Sequence, residues 1–99
     1  MKIQILPSAM TDLRRGYHFY ESQESGLGDY FQDTLFSDID SLLLYAGIHR
    51  KIDGYHRFFS KRFPYAIYYK MEGSESALVY RVLDMRQNPQ QTVKDLKGY

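Results

Sequence analysis

The feature that most constrains this chain is a change of apolar period near residue 50. Up to Ala46, apolar residues recur every three or four positions, as one face of a helix requires. From Tyr55 onward the chain is rich in aromatic and β-branched residues broken by turn signals, which is the pattern of strands. One stretch cannot satisfy both periods, so helices come first and a sheet follows.

Within the helical part, Met10, Leu13, Tyr17 and Tyr20 line one face of a first helix, with Ser8 as its expected N-cap and Asp12 in its first turns. Gly26 and Gly28 mark a break. Leu27, Phe31, Leu35, Ile39, Leu42 and Ala46 predict a second helix over 27–46, stopped by Gly47. The two helices should form an antiparallel hairpin. Before them, residues 2–6 alternate as a short strand that ends at Pro7. After them, Phe63-Pro64 and Glu72-Gly73-Ser74 separate strands expected at 55–62, 65–71 and 76–84. Asn88-Pro89 ends the last strand, and residues 90–97 have room for a helical turn. The predicted fold is α+β, a two-layer βααβββ arrangement with the helical hairpin on an antiparallel sheet, in one domain over residues 1–99.

Composition narrows the chemistry. There is no cysteine, which removes disulfides, thiolate nucleophiles and thiolate metal sites. His18, His49 and His56 lack any short ligand spacing, and no glycine-rich phosphate loop follows a strand, so no metal or cofactor is expected. No apolar run approaches membrane-spanning length, and the N-terminus has no signal-peptide pattern; a soluble, cytoplasmic protein is expected. The net charge of +1 conceals a split. Residues 1–49 carry three basic and seven acidic side chains, whereas residues 50–86 carry eight basic and four acidic ones. Such a split either makes a positive field for an anionic partner or is simply a solvated charged sheet face.

The strand segment Lys61-Arg62-Phe63-Pro64-Tyr65-Ala66-Ile67-Tyr68-Tyr69 resembles the Phe-Pro-Tyr, apolar-x-Tyr signature of the RelE/ParE toxin superfamily, which includes plasmid stabilization proteins. Val82 to Pro89 is similar to that family's closing strand, Ala9-Met10-Thr11-Asp12-Leu13 to the opening of its first helix, and Gly54 to the glycine before its second strand. The resemblance covers nearly the whole chain, in the family's order. It implies the toxin of a type II toxin–antitoxin system, with one of two activities.

RelE-like members cut messenger RNA on the ribosome and need cations, an acid and a base on the sheet. Here the third-strand arginine position falls on Ala66, and the fourth-strand histidine position on Asp84. The remaining candidates for a nuclease are Lys61, Arg62, Arg81 and Tyr99, with His56 and Tyr80 as substitutes. ParE-like members inhibit DNA gyrase by binding, which suits the two departures better, although Gln87 replaces an arginine usual there. On that reading Arg57, Lys61, Arg81 and Arg86 bind the target. A cognate antitoxin would cover Phe58, Phe59, Tyr68, Tyr69 and Tyr80, although strand alternation sends Phe58 and Phe59 to opposite faces. A homodimer, or a heterotetramer with the antitoxin, is compatible with this. A non-toxic partner-binding relative, or a small RNA-binding domain, is the alternative from another class.

Overall fold

The computed structural model describes residues 1–98. Its elements are β1 (Lys2–Ile5), α1 (Pro7–Gln23), α2 (Leu27–Asp40), α3 (Leu42–Tyr45), β2 (Lys51–Ile52), β3 (Tyr55–Phe59), β4 (Tyr65–Glu72), β5 (Ser76–Asp84) and α4 (Pro89–Leu96). The strands form one sheet in the order β1-β5-β4-β3-β2. The α+β two-layer arrangement is as the sequence predicts, with one correction to the sheet. It is mixed rather than antiparallel, because β1 runs parallel to β5 after the α1/α2 hairpin carries the chain across.

The helical hairpin buries the predicted stripes. Leu13, Tyr20, Phe31, Leu35, Ile39 and Leu42 meet Tyr65, Ile67, Tyr69, Val79 and Val82 from the sheet in the main core. Glu21 of α1 caps α2, since its carboxylate accepts from the Gly28 N–H at 2.9 Å and the Gly26 N–H at 3.1 Å. Helix α2 stops at Asp40, six residues short of the predicted end. There the Ser41 hydroxyl donates to the Asp38 carbonyl at 2.6 Å and competes with the helical ladder, leaving a one-turn α3. The second core-side tie at Asp38 is its buried carboxylate, which accepts from the Ser60 hydroxyl at 2.6 Å and fastens the β3–β4 loop to α2.

Ser8 is not the N-cap. Helix α1 starts at Pro7, whose missing N–H suits the first turn, and no side chain caps it. Instead the Ser8 hydroxyl donates to the Tyr80 carbonyl at 2.8 Å. Asp12, one turn on, accepts from the Val82 N–H at 2.9 Å. β1 pairs β5 only from Ser76 to Val79, so one face of α1 supplies partners to the strand edge beyond.

β3 ends at Phe59, not residue 62, and a two-residue β2 precedes it across the Asp53-Gly54 turn. Both turn residues have positive φ (52° and 83°), as a tight primed hairpin turn demands, which accounts for the glycine at position 54. The predicted terminal turn is a full helix, α4, with the Asn88 side chain accepting from the Gln90 N–H at its start. Among the described residues no helix is long and apolar enough to cross a membrane.

Candidate functional site

The sheet has two faces with different fates. Alternation turns Tyr65, Ile67 and Tyr69 toward the helical hairpin, and Ala66 and Tyr68 the other way. A register shift between Tyr68 and Tyr69 marks a bulge on β5 at Tyr80, after which Arg81 faces Tyr68. Helix α4 lies over this second face. Leu96 is buried with Ala66, Tyr68 and Leu83, and the Tyr55 hydroxyl donates to the Leu96 carbonyl at 2.6 Å. Beside α4, a cavity of about 360 Å³ is lined by Arg57, Phe59, Ala66, Tyr68, Met85 and Val93 among others.

This arrangement sorts the sequence candidates. Phe59 is half exposed beneath the partly exposed Arg57, whose guanidinium lies 5.0 Å from its ring. Phe58 packs against the main core and Tyr69 is fully buried within it. Tyr69 has no surface left for a partner, and Phe58 is partly covered by the His49 ring stacked on it. Tyr68 is likewise closed off, by α4. Tyr80 stays partly open, edge-to-face on Tyr55 with the Lys70 ammonium 5.4 Å from its ring.

Arg81 is not a free cation. Its Nε and Nη2 donate to the two Asp12 carboxylate oxygens at 2.7 and 2.8 Å, and its Nη1 donates to the Asp95 carbonyl at 2.9 Å. The Asp12 carboxylate holds this guanidinium more firmly charged than usual. Every arm is spent tying α1, β5 and α4 together, so neither target binding nor catalysis is open to it.

Arg86 and Asp84 form a second, surface pair, with Nε and Nη2 donating to the two carboxylate oxygens at 2.9 and 2.8 Å. That pairing lowers the Asp84 pKa and raises that of Arg86. Asp84 therefore stays ionised at the position where the nuclease pattern wants a histidine. Arg86 remains half exposed and keeps a face free. Lys61 and Arg62 are exposed in the β3–β4 loop, away from α4, and Arg62 donates to the Tyr30 hydroxyl at 3.0 Å. They do not converge with Arg81. Tyr99 lies outside the described residues. Tyr65, close to Asp84, has its pKa pushed up to about 12 by burial, so its phenol stays protonated and is no base.

His56 is packed rather than poised for proton transfer. Its ring stacks on Tyr69 at 5.0 Å, and its Nδ1 donates to the His49 carbonyl at 2.6 Å. His49, which the apolar pattern did not single out, stacks on Phe58 at 4.6 Å and pairs through Nδ1 with the Tyr69 hydroxyl. That oxygen already accepts from the Gly47 N–H at 2.9 Å, so His49 Nδ1 is assigned as the acceptor of the phenol proton. Burial, then the neighbouring His56, lowers the His49 pKa. The folded state thus prefers neutral His49, and its contribution is complete above the unfolded value of about 6.5. It is lost as pH falls through the lowered folded value. Thermal midpoints should therefore drop as pH falls below about 6.5, and a His49→Gln variant should flatten that step; an identical pH profile for both proteins would refute the assignment.

Taken together, the described residues make a two-layer α+β scaffold in which Arg81, Asp12 and Asp84 are tied into ion pairs and Lys61, Arg62 and Arg86 stand at the surface. Residues 3–89 match the family model for the ParE toxin of the type II toxin–antitoxin system parDE, and the chain belongs to that family. Among solved structures it is similar to a chain of the chromosomal ParDE toxin–antitoxin system from P. aeruginosa, at 14% identity and a TM-score of 0.72. That match covers 87% of this chain and 97% of the other, and what it shows is the shared fold. No curated protein matches the chain.

Proposed function

We propose that this type II toxin acts in the cytoplasm by binding and inhibiting DNA gyrase, without cleaving RNA, and that a cognate antitoxin neutralises it. The observation that carries the reading is the state of the outer sheet face. Ala66, at the position where the RelE resemblance asks for an arginine, is buried beneath α4 and stabilises no charge. Arg81, which faces Tyr68 two residues further along β4, is consumed by Asp12 and Asp95. A phosphorane over Ala66 would therefore meet a single unpaired guanidinium, that of Arg57 beside Phe59, and not the converging set of cations, acid and base that cleavage needs. Inhibition by binding needs no such set.

The antitoxin reading has its own support. Phe59, Met85 and Val93 expose apolar surface around one cavity with Arg57 at its edge, which suits an amphipathic acidic segment. Lys61, Arg62 and Arg86 lie elsewhere, leaving a separate surface for the target.

Induced expression in bacteria tests both parts. Growth should arrest, plasmid supercoiling should relax within the same period, and transcripts should stay intact. Co-expression with the cognate antitoxin should restore growth. Cut transcripts with supercoiling unchanged would replace this reading with the nuclease one.

A further inference from the structure

Four exposed cations, Arg15, Lys61, Arg62 and Arg86, lie near the end of the molecule where the β3–β4 loop meets the helical hairpin. A continuous run of contacts there links the β3–β4 loop, α2, α1 and the segment after β5. The Arg62 Nη1 reaches the Tyr30 hydroxyl at 3.0 Å, and the Tyr30 ring lies 5.5 Å from Phe63. Phe63 meets Tyr20 at 4.9 Å, Tyr20 meets Phe19 at 5.0 Å, and the Arg86 guanidinium sits 5.9 Å from the Phe19 ring. Both ends of this ladder are open to solvent. Phe19 and Tyr30 are 46% and 45% exposed, although a core of this size has use for aromatic rings. Arg62, Lys61 and Arg15 are exposed beside them, and Arg15 shares the cleft at Phe19.

Charge and ring geometry specify the partner. Lys61, Arg62 and Arg15 have no carboxylate partner among the described residues. Some of the carboxylates nearby are committed, while Asp29 and Asp33 of α2 stay exposed on either side of Tyr30. Asp84 is bound by Arg86, Asp38 is buried on Ser60, and Asp33 lies one turn along α2 from Tyr30 without an ion pair. Exposed Tyr, Phe and Arg in one patch are the residue types that carry interface energy, and here the core beneath already holds them in place. A stacking platform for bases needs open ring faces. Instead, the contacts of Phe63 with Tyr20 and of Phe19 with Tyr20 are edge-to-face, and Arg86 stands by the Phe19 ring. The patch suits carboxylate side chains on a folded protein better than a nucleic-acid strand.

We infer that the Phe19–Tyr30–Arg62–Arg86 patch is the surface by which this protein docks onto an acidic face of its target protein. This rests on the binding-toxin reading above and locates it. The antitoxin-type groove at Phe59 and α4 is a different surface, so the two occupancies are separable.

The test uses the full chain with Tyr30→Ala, Arg62→Glu and Phe19→Ser variants, and Leu44→Ala on the distant, exposed α3 as control. Each is scored by survival after induction and by inhibition of purified gyrase, with thermal midpoints to confirm folding. The patch variants should restore survival by roughly 100-fold or more, the effect of losing one or two interface anchors. They should also weaken gyrase inhibition roughly 30-fold, and more at low salt for Arg62→Glu. Leu44→Ala should match the wild type. Patch variants that fold yet stay fully toxic would overturn the docking surface. Growth arrest that depends on the patch while gyrase is unaffected would overturn the gyrase target and keep the surface. A wild-type chain that does not arrest growth would overturn both, and patch-dependent binding of a single-stranded oligonucleotide with gyrase inhibition intact would overturn the protein partner.

Discussion

Replacing Arg81 with alanine is expected to cost about 3–5 kcal/mol of unfolding free energy, the penalty for stranding a buried charge. Asp12 is only 5% exposed at its side chain and Arg81 14%, so little solvent can replace the lost partner. The change also frees the Asp95 carbonyl, one of the ties that hold α4 on the sheet. Urea denaturation gives the stability, and hydrogen exchange across residues 89–97 reports whether α4 has loosened. Asp12→Asn should be milder, because its side-chain oxygen can still accept from the Val82 N–H while the ion pair is lost. The combined Asp12→Asn/Arg81→Met variant should lose less than the sum of its parts, since neither change then strands a charge. An Arg81→Ala protein within about 1 kcal/mol of wild type would mean the network is an exposed pair of little consequence.

The same network shows where sequence reading stops. The stripes of α1 and α2 were legible because helical period is a local property, and Leu13, Phe31, Leu35 and Ile39 all lie in the main core. Strand alternation likewise separated Phe58 from Phe59 correctly. Nothing local pairs Asp12 with Arg81, which are 69 residues apart, so the sequence could not name the partner that takes Arg81 out of the candidate set. Two further facts were hidden for the same reason. The bulge at Tyr80 shifts which side chains share a face, and α4 roofs Ala66 and Tyr68 from the far end of the chain. The Phe63-Pro64-Tyr65 signature was visible, but as a scaffold mark. Its second role, with Phe63 linking Tyr30 to Tyr20, depends on how the hairpin sits against the loop. Candidate sites inferred from residue type alone therefore mixed core groups such as Tyr69 with surface groups such as Phe59.

Phe31→Ala is expected to be comparably damaging, at about 3–5 kcal/mol, because it empties the centre of the aromatic cluster. The ring is fully buried and lies within 5.1 Å, centroid to centroid, of Tyr20, Phe63 and Tyr65. Its place exists only because position 16 of α1 is glycine. A methyl group there would overlap the Phe31 ring, which its neighbours hold on the other sides. Gly16→Ala should therefore destabilise by about 1–3 kcal/mol, even though alanine is the better helix former. If the overlap is the cause, Gly16→Ala combined with Phe31→Leu should cost less than the two single changes together, by about 1 kcal/mol or more. Midpoints of urea unfolding at unchanged slope measure all four proteins. Strict additivity would place the cost of Gly16→Ala elsewhere. A coupled result would tie the loss to the ring that supports Phe63, and so to the loop presenting Lys61 and Arg62.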